Sequence, residues 1–509
     1  MKFKQYILPS YLALTLAACG GTQPNIGNPP APSEPEYQNS MIFPKPNTGW
    51  VGDPMPMFED GKMNMFYLYD GRDGQIGFHP YNLMTTEDFY NWTFKGTVIP
   101  FDNDETSRDL ALGTGSIIKD QNGIYHAFYT GFNDRGFTGT SKKEIIQHAT
   151  SVDKVNWTKH PEDGFYGRSS DFRDPYVIYM EEEQQYWMLI TSKDLHNNAA
   201  ILKYTSPDLV NWKNEGVFFS DPENNWNLEC PTLIFHNGFW YLSYSRQTGE
   251  NDKRILLYYY ADHLAPDGST EWKQAETPYF DGPGQYAGRI ETFNDSLVVS
   301  GWVGTKSSEN KFYDWAGNLV THELVQHTDG TLTPKALSSL QQKISYKKVP
   351  QVQTTSSGTT VQTDKIQFSN NGYQFVEMKP LSAEPTRVTF DMSLGDNRDH
   401  VGFIFNTQKD ENNNIVGKTK LEINLLENQV KLFTSNTTEP NLHTYLSVTS
   451  FSDKTEVSIE MLMENDIFTL YIDNEIAFSA RTTNPNHTWG MFAYNTSVNV
   501  SDLSVYTIN

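Results

Sequence analysis

Along the first two thirds of the chain, apolar and aromatic residues gather in short runs, most of them opened by a polar turn. Five runs are alike: DGKMNMFYLYD from Asp60, QNGIYHAFYTG from Gln121, EEQQYWMLITS from Glu182, HNGFWYLSYSR from His236 and NDSLVVSGWVG from Asn294. They are rich in Tyr, Phe, Trp, Val and Ile, which fit a pleated, half-buried surface and predict strands. The runs recur roughly every 55 to 60 residues, the period of propeller blades built from four strands. A second signal keeps register with the first. TTEDFYNW ends at Trp92, TSVDKVNW at Trp157 and TSPDLVNW at Trp212, with a weaker DGSTEW ending at Trp272. Each predicts a turn with a Trp packed beneath it. Together the two signals predict a five-bladed β-propeller over residues 41–340.

After Leu337 the pattern changes. Residues 351–363 are rich in Ser, Thr and Gln, and beyond them come alternating runs such as RVTFDMSL, HVGFIFN, KLEINLLENQVKLFT and LSVYTI. Period-two alternation over many short strands predicts a β-sandwich over residues 350–509. The best helix candidate after the N-terminal segment is the short stretch 336–343. The fold class expected is therefore all-β, a propeller followed by a sandwich.

Composition changes this picture little. The 509 residues hold 14% aromatic and 20% charged residues, which suits a globular chain. A formal net charge of −23 disfavours nucleic acid and anionic lipid as partners and suits a neutral one. The N-terminus adds more. MKFKQYILPSYLALTLAACGG has a basic start, a short apolar run and Leu-Ala-Ala-Cys, which resembles the bacterial lipoprotein box. Residues 1–19 are expected to be a lipoprotein signal peptide, with Cys19 as the lipid attachment site, and residues 20–40 a flexible tether rich in Pro, Gly, Asn and Ser. This places the protein at a bacterial cell envelope, with the periplasmic side favoured, and limits membrane contact to the lipid anchor. Only Cys230 then remains, so no disulfide is expected within the mature chain. The 12 His residues show no metal-ligand spacing, and neither metal nor cofactor is expected.

Three acids stand out. Asp53 precedes Pro54, Asp174 precedes Pro175, and Glu229 precedes Cys230-Pro231, each just ahead of an apolar strand on a different predicted blade. From there they can converge on the propeller axis. Carboxylates gathered in one pocket suit glycosidic bond cleavage, in which one acid stays protonated for the leaving oxygen and another is ionised. An Asp-Pro pair taken singly is usually a turn residue accepting backbone N–H bonds.

At these residues the chain resembles glycoside hydrolase family 32, the invertase, inulinase and levanase group of β-fructosidases. Trp50-Val51-Gly52-Asp53-Pro54, Phe172-Arg173-Asp174-Pro175 and Glu229-Cys230-Pro231 carry the resemblance, with softer matches at Gly113 to Ser116, Phe280 to Phe293, and Trp315-Ala316-Gly317 leading to His322-Glu323-Leu324. The resemblance implies that Asp53 is the nucleophile and Glu229 the acid and base. It implies that Asp174 binds ring hydroxyls and stabilises the transition state, with Arg173 beside it. It also implies retention through a covalent fructosyl-enzyme, with the two reacting carboxyls about 5 Å apart. The substrate expected is an oligo- or polysaccharide, a fructan, acted on by a monomer.

The chain departs from the family pattern at two positions. Gly52 stands where the family has Asn, and Leu68 where it has Gln. Candidate substrate-binding residues are Trp50, Arg173, Ser116, Asp70, His79 and Trp302, the two Trp as rings that stack on sugar faces, with Arg72 and Asp73 in the same Gly-rich stretch as Asp70. Three other readings stay open: an inverting five-bladed hydrolase acting on arabinose or xylose chains, a glycan-binding lipoprotein without catalysis, and fructosyl transfer to a sugar.

Overall fold

The computed structural model describes residues 36–71, 79–136, 141–221, 226–247, 254–305, 315–369, 372–434, 441–448, 451, 453–482 and 486–508. The expected signal peptide with Cys19, the tether up to residue 35, and Arg72 and Asp73 lie outside them. Tyr37–Ser40, expected within the tether, is a strand paired with Asn91–Ile99 at the rim of the first blade.

The chain folds as a five-bladed β-propeller followed by a β-sandwich. The first strands of the blades, nearest the axis, are Trp50–Glu59, Ala111–Lys119, Arg173–Met180, Asn227–His236 and Gln285–Phe293. The five repeated runs of the sequence are all second strands: Lys62–Asp70, Tyr125–Phe132, Gln185–Lys193, Phe239–Gln247 and Ser296–Gly304. In the fourth blade, isolated bridges from Leu257 to Tyr279 and from Tyr260 to Lys273 stand where a fourth strand runs in its neighbours. The ring closes where Gly317 pairs with Val51, joining the fifth and first blades in one sheet.

The Asn-Trp signal has a single physical cause in three blades. Asp88, Asp153 and Asp208 each accept two backbone N–H groups from the turn that follows, and the Asn side chain three residues on closes the loop. The residue after each Asp takes the left-handed conformation: Phe89 (φ 57°), Lys154 (φ 67°) and Leu209 (φ 64°). Asp and Asn recur here because their short side chains replace backbone partners in a tight turn.

The single α-helix among the described residues, Ser338–Lys343, leads into the sandwich. Its two sheets have eight and seven strands. The first sandwich strand, Tyr346–Lys348, pairs with the last, Val498–Thr507, a few residues ahead of the expected start at 350. Val388, Phe390, Phe403, Phe468 and Trp489 fill the space between the sheets. A second apolar cluster crosses between the domains, bringing Val51, Leu319, Leu337 and Leu340 against Leu462, Ile467, Tyr471 and Ala477. Polar contacts cross there as well. Glu464 accepts the N–H groups of Ile42 (3.1 Å) and Phe43 (3.0 Å), and His322 links Asp281 to Tyr471, each over 2.9 Å.

Candidate active site

Each of the five first strands breaks register with its second strand at the same place. The breaks fall between Gly52 and Met55, Gly113 and Gly115, Arg173 and Tyr176, Glu229 and Thr232, and Tyr286 and Arg289. A bulge inserts extra backbone, bends the strand and re-aims side chains. Asp174, Cys230 and Ala287 within three of these bulges have positive φ, at 56°, 54° and 53°. Such backbone costs energy for non-glycine residues and is held by its surroundings. The bulges set equivalent positions. Asp53, Thr114, Asp174, Cys230 and Ala287 correspond, and Gly52, Gly113, Arg173, Glu229 and Tyr286 precede them. Glu229 therefore does not match Asp53 and Asp174 blade for blade, as its nearby Pro suggests. It stands one residue earlier, in the position of Arg173 and Tyr286.

The three acids line one cavity of about 290 Å³ together with Arg173, Glu144, Tyr286 and Trp315. Asp53 Oδ1 accepts the indole N–H of Trp302 at 2.9 Å. Burial pushes the Asp53 carboxyl up to about 6, the charge of Glu229 adds to the rise, and the Trp302 N–H opposes it. Asp174 is buried. Its Oδ2 accepts the hydroxyl of Thr191 (3.1 Å) and the N–H of Cys230 (3.1 Å). Burial pushes its carboxyl up, as do Glu229 and Asp53, while the charge of Arg173, 3.9 Å away, pulls it back.

Glu229 is held at both oxygens. Arg173 Nη2 donates to Oε1 at 2.7 Å, and the phenol of Tyr286 donates to Oε2. Arg173 also reaches Glu144 and Asp171 through Nη1, at 3.3 and 3.0 Å. Burial works against its charge, but Glu229, Glu144 and Asp174 outweigh it and hold its proton more tightly than usual. The guanidinium thus acts as the hub of a buried acidic cluster, where its planar fork serves several carboxylates at once.

Of the candidate binding residues, Arg173 and His79 line the cavity, and the His79 ring stacks on Trp315 with centroids 4.4 Å apart. Others are placed differently. Trp302 is 2% exposed and presents its N–H to Asp53, so it holds a carboxylate where a sugar-stacking face was expected. Trp50 lies against Arg481 of the sandwich, 5.6 Å from its guanidinium, and does not line the cavity. Ser116 accepts the N–H of Val177 at 2.9 Å and bridges two blades. Asp70 is buried in strand pairing opposite Trp50, outside the cavity lining. Cys230 is buried, and burial pushes its thiol well above the usual range. This makes it a packing residue whose backbone serves Asp174.

Sequence reasoning missed Tyr286 and Glu144. The bulge register is the signal that finds Tyr286, since it occupies the position of Glu229 and Arg173. Glu144 begins an outer strand of the second blade, and no motif marks it. The structure also accounts for Gly52. A Cβ on Gly52 would stand 2.3 Å from Cη2 of Trp315, so the indole occupies the space that a side chain would need. Among the described residues, no group of three His, Cys, Asp or Glu is arranged to hold a metal ion.

The sequence profile described as "Glycosyl hydrolases family 32 N-terminal domain" matches residues 44–334. The chain is similar to an invertase of Wickerhamomyces anomalus, with 23% identity over 95% of this chain and 87% of the yeast protein. It is also similar to a levanbiose-producing levanase of Bacillus subtilis, with 27% identity over 39% of this chain and 38% of the levanase. Among solved structures, fructan 1-exohydrolase IIa of Cichorium intybus superposes with a TM-score of 0.69 at 16% identity, covering 92% of this chain and 96% of that one.

Proposed function

Because the chain belongs to glycosyl hydrolase family 32, and is thereby a glycoside hydrolase of the β-fructosidase kind, we propose that it cleaves β-fructofuranosyl linkages in fructans or fructo-oligosaccharides with retention of configuration. The observation that carries this reading is the convergence of Asp53, Asp174 and Glu229 in one cavity, with Asp53 held by Trp302 and Glu229 by Arg173 and Tyr286.

In the first step the ionised Asp53 carboxylate attacks the anomeric carbon as the glycosidic bond breaks. The departing oxygen takes the proton of Glu229, and a fructosyl–Asp53 ester forms. In the second step Glu229 removes a proton from water, the resulting hydroxide attacks the same carbon, and Asp53 leaves as carboxylate. Asp174 faces the ring, where its negative charge favours the cationic transition state. A raised Asp53 still works near neutrality, since a carboxyl with a pKa of about 6 is mostly ionised at pH 7. The fixed indole N–H and the bulged backbone limit its motion, which keeps the attacking oxygen close to its target.

A similar β-fructofuranosidase solved in complex with sucrose and a similar levanase suggest sucrose and levan as first substrates to try. The test is sugar release from sucrose, inulin, levan and arabinan by the purified protein, with Asp53→Asn as control, and proton NMR of the first product anomer. Fructose released with retention and lost in the variant supports the reading. Inversion, or release from arabinan alone, overturns it. With an alcohol added as acceptor, the same assay separates hydrolysis from transfer. The proposal also keeps Cys19 as a lipid attachment site that holds the enzyme at the cell envelope, facing the periplasm. If so, Cys19→Ala moves the protein from the membrane to the soluble fraction.

A further inference from the structure

The β-sandwich reaches the catalytic carboxylate through one side chain. Arg481 ends the strand Ile476–Arg481 and is buried, 4% exposed. Its Nε donates to the carbonyl of Gly304 at 2.8 Å, and its Nη2 to the carbonyl of Val303 at 3.2 Å and to Oδ1 of Asn318. Its Nη1 meets both oxygens of Asp466, each at 2.9 Å, which balances the buried charge. Its guanidinium carbon lies 5.6 Å from the centroid of the Trp50 ring.

These partners are the strand ends that carry the Trp302–Asp53 contact. Val303 and Gly304 directly follow Trp302, and Trp50 stands three residues before Asp53 on the same strand. Asn318 follows Gly317, whose bridge to Val51 closes the ring, and its Nδ2 holds the carbonyl of Phe43 at 2.7 Å. One planar group from the second domain therefore holds the end of the Trp302 strand by hydrogen bonds and meets the Asp53 strand through the Trp50 ring, on either side of the 2.9 Å bond between Trp302 and Asp53. An arginine suits this place, because its donors leave a rigid planar fork that binds two successive carbonyls of one strand and Asn318 of the next, with the Trp50 ring of the Asp53 strand 5.6 Å from its guanidinium carbon. The apolar part of the domain interface stabilises the contact without setting such a geometry.

We infer that Arg481 is a positioning residue for Asp53, which it serves by fixing the strand that presents Trp302 against the strand that presents the carboxylate. The sandwich is then part of the catalytic apparatus and not only a support. This rests on the reading of Asp53 as nucleophile. Loss of Arg481 lets the two strands part and weakens the indole bond that favours the ionised carboxylate, so the carboxyl protonates at higher pH.

The test compares the full chain with Arg481→Met, Arg481→Lys, Asp466→Asn and, as an interface control away from these strand ends, Tyr471→Phe. Two readouts are followed against pH. One is kcat/KM for fructose release. The other is tryptophan emission, taking the pH-dependent part that Asp53→Asn abolishes as the report on the Trp302–Asp53 pair. The expected result for Arg481→Met is a roughly ten- to hundredfold loss in kcat/KM, carried by kcat more than by KM. The acid limb and the emission midpoint should both move to higher pH. Arg481→Lys should recover part of this, Asp466→Asn should shift the midpoints in the same direction by less, and Tyr471→Phe should lower thermal stability with both midpoints in place.

Unchanged midpoints in Arg481→Met overturn the proposal, however far the melting temperature falls. If that variant does not fold, unchanged midpoints in Arg481→Lys and Asp466→Asn overturn it. If the unmodified protein releases no fructose, the functional reading fails by itself and the emission titration still decides the coupling. A shift on losing Arg481 upholds the coupling, and no shift ends it.

Discussion

The indole N–H of Trp302 meets Oδ1 of Asp53 at 2.9 Å, joining the fifth blade to the first beside the point where the propeller ring closes. The bond spans 249 positions of sequence. It sets an N–H donor of the fifth blade against a carboxylate of the first.

Replacing Trp302 with Phe keeps most of the buried ring and removes the N–H. A hydrogen bond to a charged group contributes roughly 1.5–3 kcal/mol, so kcat/KM should fall about ten- to a hundredfold. In the unmodified enzyme, activity requires ionised Asp53 and should fall as the pH drops through about 6. Without the indole donor the carboxyl rises further, so the acid limb of the kcat/KM profile should move to higher pH. A limb that stays in place would show that the bond does not tune Asp53.

Arg173 donates to Glu229, Glu144 and Asp171, and its charge also pulls on Asp174. A lysine keeps the charge but replaces the fork with one compact group. Arg173→Lys is expected to lose about a hundredfold in kcat/KM with a modest change in stability, measured by steady-state kinetics and urea unfolding. Activity within about threefold of the unmodified enzyme would remove Arg173 from the catalytic geometry.

Gly52→Ala should be destabilising, because its Cβ would stand 2.3 Å from the Trp315 ring. Overpacking of this kind costs about 1–3 kcal/mol. The double variant Gly52→Ala, Trp315→Ala should recover part of that loss, and the non-additivity in urea unfolding measures the contact. If the effects simply add, the indole does not explain the glycine.

His126 and His148 share a 2.9 Å contact in the second blade, and His148 Nδ1 faces Asp163 at 2.7 Å. Burial pushes both imidazoles down, His148 to about 4, although Asp120 and Asp163 work the other way. A histidine whose folded pKa lies below its unfolded value of about 6.5 stabilises the fold above that value. This stability is lost as the pH falls from there through the folded pKa. Unfolding free energy should therefore decline between about pH 6.5 and 4, with a slope near 1.4 kcal/mol per pH unit for each such proton. His148→Gln should flatten that decline. An equally steep decline in the variant would assign it to other groups.

Much of this protein was legible in its residues. The five aromatic runs predict five blades because each run must pair and bury one face, and that pattern is local. The Asp-Pro, Arg-Asp-Pro and Glu-Cys-Pro stretches point to the three acids for the same reason. They mark strand entrances where a bulge re-aims a side chain, and the residues at a bulge are neighbours in sequence. The Asn-Trp turns were equally plain, since each Asp bonds to backbone within three residues of itself.

What the residues did not reveal is which side chains meet across blades and between domains. Trp302 and Trp50 were both candidates for stacking on sugar, yet one holds Asp53 and the other lies under Arg481. Tyr286 lies in the soft match from Phe280 to Phe293 without standing out there, Glu144 carries no motif, and their roles exist only because the ring brings them to Glu229 and Arg173. The chain by itself determined the strands and singled out the three acids as candidates, because these depend on residues a few positions apart. Tertiary structure decided the partners that hold those acids, because a hydrogen bond across 249 positions depends on how sheets close and pack, and no local pattern encodes that distance.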